Sequence, residues 1–141
     1  MHGNPSHEEI RRLLKEAKNI AVVGLSDKKD RTSHMIAQAL QEAGYRIFPV
    51  NPSLKGPVLG EEPYASVQDI PEPVDIVDVF RRSEHCLPVA EDAVAAGVKV
   101  LWFQSGIVNK EAASIAEKAG LTVVMDRCLK VDHAVLLGGG R

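Results

Sequence analysis

The stretch "IAVVGLSDKKDRTSH" (residues 20–34) joins a continuous apolar run to a glycine and then to a loop rich in basic residues. The run is too short for a surface helix and is typical of a strand buried on both faces, as in a parallel sheet. After the loop, apolar residues at helical spacing predict a helix over about residues 32–43, ended by Gly44. The segment therefore predicts a strand, a loop and a helix in succession.

The same alternation continues through the rest of the chain. Further apolar runs predict strands over residues 45–51, 74–80, 99–104 and 121–125. Amphipathic or capped stretches predict helices over residues 6–18, after Ser83, after Asn109 and over residues 129–137, with a helical turn over residues 66–70. Pro49, which lacks a backbone donor, is expected at the end of strand two or facing an unpaired edge.

This order of elements predicts an α/β protein with a three-layer Rossmann-like fold. Right-handed crossovers give a five-stranded parallel sheet with helices on both faces. We expect the strand order 3-2-1-4-5, in which the ligand crevice lies beyond the carboxyl ends of the strands, between strands one and four. The loops facing it would be residues 24–31, 51–55, 80–83 and 104–106.

The composition fits a single domain over residues 1–141. The chain has 17 basic and 19 acidic residues, so it lacks the global basic field that favours nucleic acid or membrane surfaces, and no segment suits a membrane span. Cys86 and Cys128 are far apart and form no metal-binding or disulfide motif. We expect a cytoplasmic protein with free thiols, no metal, and no nucleic-acid or membrane partner.

The loop after Gly24 is predicted to bind an anion, because a helix start offers backbone N–H groups and a partial positive charge. Ser26 replaces the second glycine of the dinucleotide fingerprint, which disfavours NAD. Asn51 stands where a dehydrogenase would carry an acid for the ribose 2′-hydroxyl. This neutral residue favours a phosphorylated ribose, as do the nearby cations Lys28, Lys29, Arg31 and Lys55. NADP and coenzyme A both satisfy these requirements.

Other chemistries find little support in the sequence. There is no Walker A motif, and the segment around Ser105 lacks the first glycine of a nucleophile elbow. Asp75 and Asp78 are three positions apart in a predicted strand, so their side chains point to opposite faces and cannot form an acid–base pair. Trp102 is expected in the core and His34 on the helix surface. Cys86 and Cys128 raise the hypothesis that one of them exchanges disulfide with a ligand thiol, and Cys86 is expected at a helix start, where the pKa of a thiol can be lowered.

Three segments carry a resemblance to a known family: "IAVVGLSDKKDRTSHMIAQALQEAGYRIFPVNP", "GEEPYASVQDIPEPVDIVDVF" and "AGVKVLWFQSGI". Together they resemble the stand-alone coenzyme A-binding domain proteins, over about residues 13–130. These proteins are similar to the N-terminal domain of the succinyl-CoA synthetase α subunit and of NDP-forming acyl-CoA synthetases. The most specific features are the P-V-N-P segment and the Y-x-S-x-x-D-I-P-x-x-V-D run.

The resemblance implies that coenzyme A or an acyl-CoA is the ligand. In the family, the loop after strand one holds the CoA phosphates, P-V-N-P faces the adenosine, and the loops after strands three and four border the pantetheine. Phe80-Arg81-Arg82 departs from the proline-containing loop of many larger relatives, and either adds a cation or forms solvated surface. The implied binding residues are Gly24, Leu25, Ser26, Lys28, Arg31, Thr32, Ser33, Asn51, Pro52, Arg81, Gln104, Ser105 and Gly106.

The resemblance implies binding without catalysis, because the phosphorylated histidine of the synthetases belongs to a domain that has no counterpart in this sequence. Two alternatives stay open on the residues alone. One is an NADP-dependent oxidoreductase, and the other is a protein-interaction module with a vestigial nucleotide pocket. The sequence points to a small-molecule nucleotide ligand and assigns no protein partner.

Overall fold

The five predicted strands form one parallel sheet with helices on both faces in the structure, a computed structural model that describes residues 3–138. The strands are β1 (Asn19–Val23), β2 (Arg46–Val50), β3 (Ile76–Val79), β4 (Val100–Phe103) and β5 (Thr122–Val124). The helices are α1 (His7–Glu16), α2 (Thr32–Glu42), α3 (Cys86–Ala96), α4 (Lys110–Lys118) and α5 (Leu129–Leu137), with 3₁₀ turns at Val67–Asp69 and Ser83–His85. The predicted fold class is confirmed.

Two predicted helix starts are confirmed by their caps, and one is wrong. Ser6 Oγ accepts the N–H of Glu9, and Asn109 Oδ1 accepts the N–H of Ala112 at 2.9 Å. Ser83 does not cap α3, because it lies in a 3₁₀ turn and its hydroxyl accepts the N–H of Val108 at 3.0 Å. This hydrogen bond links the turn before α3 to the connection before α4.

The two faces of the sheet bury separate cores. On one face, α3 and α4 pack through buried small residues: Ala90, Ala93, Ala112, Ala113 and Ala116. On the other face, α1, α2 and α5 cover a core that includes Trp102. The Trp102 side chain is fully buried, and its indole N–H donates to the carbonyl of Arg127 at 2.8 Å. The prediction that this tryptophan belongs to the core is confirmed.

The predicted strand order 3-2-1-4-5 is wrong, because the observed order is β2-β1-β3-β4-β5. Pro49 gives a physical reason. Its carbonyl points away from β1 and accepts the N–H of Tyr64, so its missing N–H faces the same side. A third strand beyond β2 would need that donor. Proline therefore suits β2 as an edge strand, flanked only by the short bridge of Val50 with Tyr64.

The observed order places the point where the chain reverses direction along the sheet between β1 and β3, and not between strands one and four.

No helix within residues 3–138 has the length and hydropathy that a bilayer crossing requires. Of the terminal glycines, Gly138 ends α5 in a left-handed conformation, whereas Gly139 and Gly140 lie outside the described residues.

Candidate functional site

The candidate site is the crevice beyond the carboxyl ends of β1, β2 and β3, where open parallel sheets bind their ligands. Gly24 follows β1, Asn51 follows β2 and Phe80 follows β3. Because β3 lies between β1 and β4, the loop after β4 is one strand farther from β1 than in the predicted order 3-2-1-4-5. The structure therefore assembles the crevice from three of the four predicted loops.

Gly24 holds the ends of these three strands together. Its N–H donates to the carbonyl of Val50 at 2.8 Å, and the N–H of Phe80 donates to the carbonyl of Val23 at 2.8 Å. Its φ of +88° lies in the region that favours glycine. A β-carbon at this position would lie 2.3 Å from the carbonyl oxygen of Phe80. Glycine is therefore required here by the packing of the strand ends, whether or not a ligand binds.

The loop after Gly24 is organised by its own side chains. The N–H of Ser26 donates to Ser33 Oγ at 3.0 Å, and the N–H of Lys28 donates to Ser26 Oγ at 3.1 Å. His34 is buried, and its Nδ1 lies 2.9 Å from the carbonyl oxygen of Ser26. Because a carbonyl only accepts, Nδ1 carries the proton. The prediction that His34 lies on the helix surface is thus wrong, and the residue anchors the loop.

Helix α2 begins without a side-chain cap. Its N-cap residue is Arg31, for which no cap hydrogen bond forms with any side chain of residues 3–138. The first residues of a helix have no intrahelical acceptor, and within the described chain no acceptor meets the N–H groups of Thr32, Ser33 and His34. In contrast, side-chain oxygens cap α1 and α4. Three backbone donors of α2 are thus available to an anion.

The side chains around this helix start carry a small positive excess. Lys28, Lys29 and Arg31 are exposed, and Asp27 and Asp30 alternate with them. The loop therefore carries a net charge of about +1, less than a count of its cations suggests. Exposed cations of this kind are screened by salt and act together with the backbone donors at the start of α2.

Asn51 joins the loop after β2 to the loop after β1. Its Nδ2 donates to the carbonyl of Leu25 at 3.1 Å, and its Oδ1 accepts the N–H of Ser53 at 3.0 Å. Leu25 itself is fully buried, so it can face the crevice only through its backbone. Pro52 is exposed and lines a cavity beside β2. In this structure Asn51 positions the two loops relative to each other.

A cavity of about 290 Å³ adjoins this region on the α3 side of the sheet. Most of its wall is apolar, and three ionisable residues contribute to it: Arg81, His85 and Asp92. The remaining lining residues are Val23, Val50, Pro52, Ala65, Val67, Pro88 and Val89. Val23, which lines the cavity, ends β1 immediately before Gly24. The cavity therefore lies next to the loop that joins Gly24 to α2.

Sequence reasoning identified Pro52 and Arg81 of this cavity and missed its α3 wall. His85, Pro88, Val89 and Asp92 are spaced as one helical face. This spacing could have predicted the wall from the sequence. The stronger apolar pattern of α3, however, comes from the alanines and Cys86 on the neighbouring helical face, which enter the core.

The three predicted residues after β4 do not line the cavity. Gln104 is buried, and its Oε1 accepts the N–H of Leu129 at the start of α5. The N–H of Gly106 donates to Asp126 Oδ1 at 2.6 Å. Ser105 is exposed. Two of these residues thus tie the loop after β4 to the connection between β5 and α5.

The remaining candidate groups are unsuited to chemistry in the crevice. Burial, together with the nearby negative charge of Glu84, raises the pKa of the Cys86 thiol to about 11. The hypothesis of a thiol activated at the helix start is therefore wrong. Asp78 is fully buried in the sheet between Val22 and Trp102, on the face opposite the cavity.

Comparison with known proteins identifies the family to which this chain belongs. The family model described as "CoA binding domain" matches residues 18–134. The uncharacterized protein YneT of Bacillus subtilis (strain 168) is 51% identical over 132 residues, covering 94% of this chain and 97% of YneT.

The chain is also similar to a solved structure and to part of an enzyme. The solved structure of a hypothetical protein from Pyrococcus horikoshii OT3 has a TM-score of 0.91 and 38% identity, covering 98% of this chain and all of that one. The ADP-forming 4-hydroxybutyrate–CoA ligase of Nitrosopumilus maritimus (strain SCM1) is 26% identical over 126 residues. That match covers 81% of this chain but only 18% of the ligase.

Proposed function

The chain belongs to the CoA binding domain family, and on that premise we propose that it binds coenzyme A or an acyl-CoA in the crevice beyond β1, β2 and β3. The diphosphate would lie at the start of α2, and the adenine would enter the cavity beside α3. The unpartnered backbone N–H groups of Thr32, Ser33 and His34, next to an apolar cavity, are the observation that carries the proposal.

The phosphate end rests on backbone donors reinforced by cations. The helix dipole places a partial positive charge where the three N–H groups lack an acceptor within residues 3–138. Ser33, His34 and Ser26 hold the preceding loop in one conformation, so these donors need little reorganisation when an anion binds. Lys28 and Arg31 extend from the same loop and can reach the phosphates, including the 3′-phosphate of the ribose.

The base end rests on the cavity between β2 and α3. Valine and proline side chains offer apolar surface to the faces of a planar ring. Arg81 adds a guanidinium cation and His85 adds an imidazole ring to the same cavity. This division of the site into a polar loop and an apolar cavity matches a ligand that is charged at one end and aromatic at the other.

We propose binding without catalysis of its own. The match to the N. maritimus ligase leaves most of that enzyme outside the region shared with this chain. The crevice loops supply hydrogen-bond donors and cations, and the cavity wall is mostly apolar. The carboxylate in that wall, Asp92, accepts hydrogen bonds from Ser66 and Gln68. The thiol of Cys86, at the start of α3, is buried, and its pKa is raised to about 11.

Isothermal titration calorimetry with coenzyme A and dephospho-CoA tests the proposal. We expect coenzyme A to bind roughly tenfold more tightly, a difference of about 1.4 kcal/mol, because the cations around α2 recognise the 3′-phosphate. The advantage should shrink at high salt. Equal affinities would contradict recognition of the 3′-phosphate, and absence of binding at millimolar concentration would contradict the function.

A titration with NADPH separates the main alternative. NADPH shares the diphosphate and a phosphorylated ribose but lacks the pantetheine. Binding of NADPH without binding of coenzyme A would favour an oxidoreductase and would overturn the proposal.

A further inference from the structure

The two ends of the cavity wall formed by α3 carry different chemical groups. His85, Pro88, Val89 and Asp92 form one helical face along its wall. A rise of 1.5 Å per residue separates the levels of His85 and Asp92 by about 10 Å. Because α3 follows β3 and runs back along the sheet, His85 lies at the crevice and Asp92 lies farther from it. An imidazole ring and a carboxylate thus occupy opposite ends of the wall.

The carboxylate of Asp92 is held in one orientation by two donors. Ser66 Oγ donates to Asp92 Oδ2 at 2.6 Å, and Gln68 Nε2 donates to Asp92 Oδ1. Ser66 is itself fixed, because its Oγ also accepts the N–H of Gln68 at 3.1 Å. A carboxylate has about four acceptor positions, so each oxygen retains one for a further donor.

A fixed carboxylate at the far end of a mostly apolar cavity selects the group that it meets there. It repels phosphate and favours an N–H donor. On the premise of the proposed function, we propose that Asp92 accepts a hydrogen bond from the exocyclic 6-amino group of the adenine. The base then lies between the valine and proline walls, with its amino group at Asp92 and its sugar towards Arg81 and the start of α2.

The proposal is tested with two ligands that differ only in the amino group. Adenosine 3′,5′-bisphosphate carries it, and the 3′,5′-bisphosphate of purine riboside has hydrogen instead. Both lack the pantetheine and share the ribose and the two phosphates, so the ratio of their affinities reports on the amino group. The dissociation constants of both ligands are measured by calorimetry for the unaltered protein, for Asp92→Ala and for Asp69→Ala. Asp69 is an exposed acid in the adjacent 3₁₀ turn, outside the cavity wall.

We expect the unaltered protein and Asp69→Ala to bind the amino-bearing ligand about tenfold more tightly than its analogue. Asp92→Ala should reduce this ratio to about one. Loss of a negative charge affects both bisphosphates alike, so the ratio isolates the hydrogen bond. Asp92→Asn, which keeps the volume and one acceptor oxygen, should give an intermediate ratio and serves as a second variant if Asp92→Ala folds poorly.

Four results would overturn the inference. A ratio of about one in the unaltered protein, with both ligands bound, would remove Asp92 from base recognition and leave the proposed function intact. An unchanged ratio in Asp92→Ala would do the same. If Asp92→Ala weakened coenzyme A but neither bisphosphate, the amide groups of pantetheine would be the donors. If no ligand, coenzyme A included, bound the unaltered protein, the proposed function would fail as well.

Discussion

The carbonyl oxygen of Phe80 lies 2.3 Å from the position that a β-carbon on Gly24 would occupy. The two residues follow the adjacent strands β3 and β1, and the obstructing atom belongs to the backbone. The ends of β1 and β3 therefore approach each other more closely than any residue other than glycine allows.

Gly24→Ala is expected to destabilise the fold by about 3 kcal/mol, because the new methyl group must displace the end of β3 and also adopt a positive φ. Gly60→Ala is the matched control. Gly60 has a φ of +78° but open space around its β-carbon position, so it should lose only about 1 kcal/mol. Urea unfolding of both variants measures the difference, and equal losses would show that the strand ends can separate easily.

Asp78→Asn is expected to change how stability depends on pH. Burial raises the pKa of Asp78 well above its ordinary value, and no group among residues 3–138 hydrogen-bonds to its carboxyl oxygens. The folded protein keeps this proton at pH values where the unfolded chain, with a carboxyl pKa of about 3.9, has released it. The stability linked to Asp78 is thus present below about pH 4 and is lost as the pH rises towards the folded pKa.

One such proton changes the free energy of unfolding by up to about 1.4 kcal/mol per pH unit. Because asparagine has no proton to release, Asp78→Asn should unfold in urea with a smaller loss of stability between pH 5 and pH 8. A slope equal to that of the unaltered protein would mean that Asp78 is charged in the folded state.

Asp75→Asn is the contrasting variant for this experiment. Burial alone would raise the pKa of Asp75, but the N–H groups of Asn19 and Lys18 and the ammonium of Lys99 bring it below its ordinary value. Stability from Asp75 is therefore present above about pH 4 and is lost as the pH falls towards the folded pKa. Its removal should lower stability at pH 7 and leave the slope between pH 5 and pH 8 unchanged.

Arg31→Ala is expected to weaken coenzyme A binding about five- to tenfold, since in the proposed function its guanidinium contacts phosphate at the start of α2. Its effect on the free energy of unfolding should stay within about 0.5 kcal/mol, because the side chain is exposed and caps no helix. Lys118→Ala, an exposed cation at the end of α4, controls for net charge. Equal affinities of the two variants would remove Arg31 from the phosphate site.

Cys86 is expected to resist alkylation in the folded protein. With a pKa raised to about 11 by burial and by Glu84, roughly one thiol in a thousand is ionised at pH 8, and the side chain is fully buried. Iodoacetamide labelling followed by peptide mass spectrometry should modify Cys86 only after unfolding in urea. Rapid labelling of the folded protein at pH 8 would revive the hypothesis of a reactive thiol.

Local patterns in the sequence were sufficient to predict the helices, the strands and the parallel sheet. Burial on both faces leaves a continuous apolar run in each strand. Capping residues such as Ser6 and Asn109 mark helix starts, because each accepts a hydrogen bond from a backbone N–H only three positions later. The loop from Gly24 to α2 could be predicted as a candidate anion site for the same reason, since a glycine and a helix start are adjacent in the chain.

The order of the strands and the walls of the cavity depended on the folded chain. Buried parallel strands have similar sequences, so their apolar runs do not say which strand lies beside which; Pro49 was the residue that distinguished an edge. Asp92 meets Ser66 and Gln68 only because α3 packs against the turn at Val67–Asp69. Such contacts join segments more than twenty positions apart, and sequence periodicity carries information about faces of single elements but not about their neighbours.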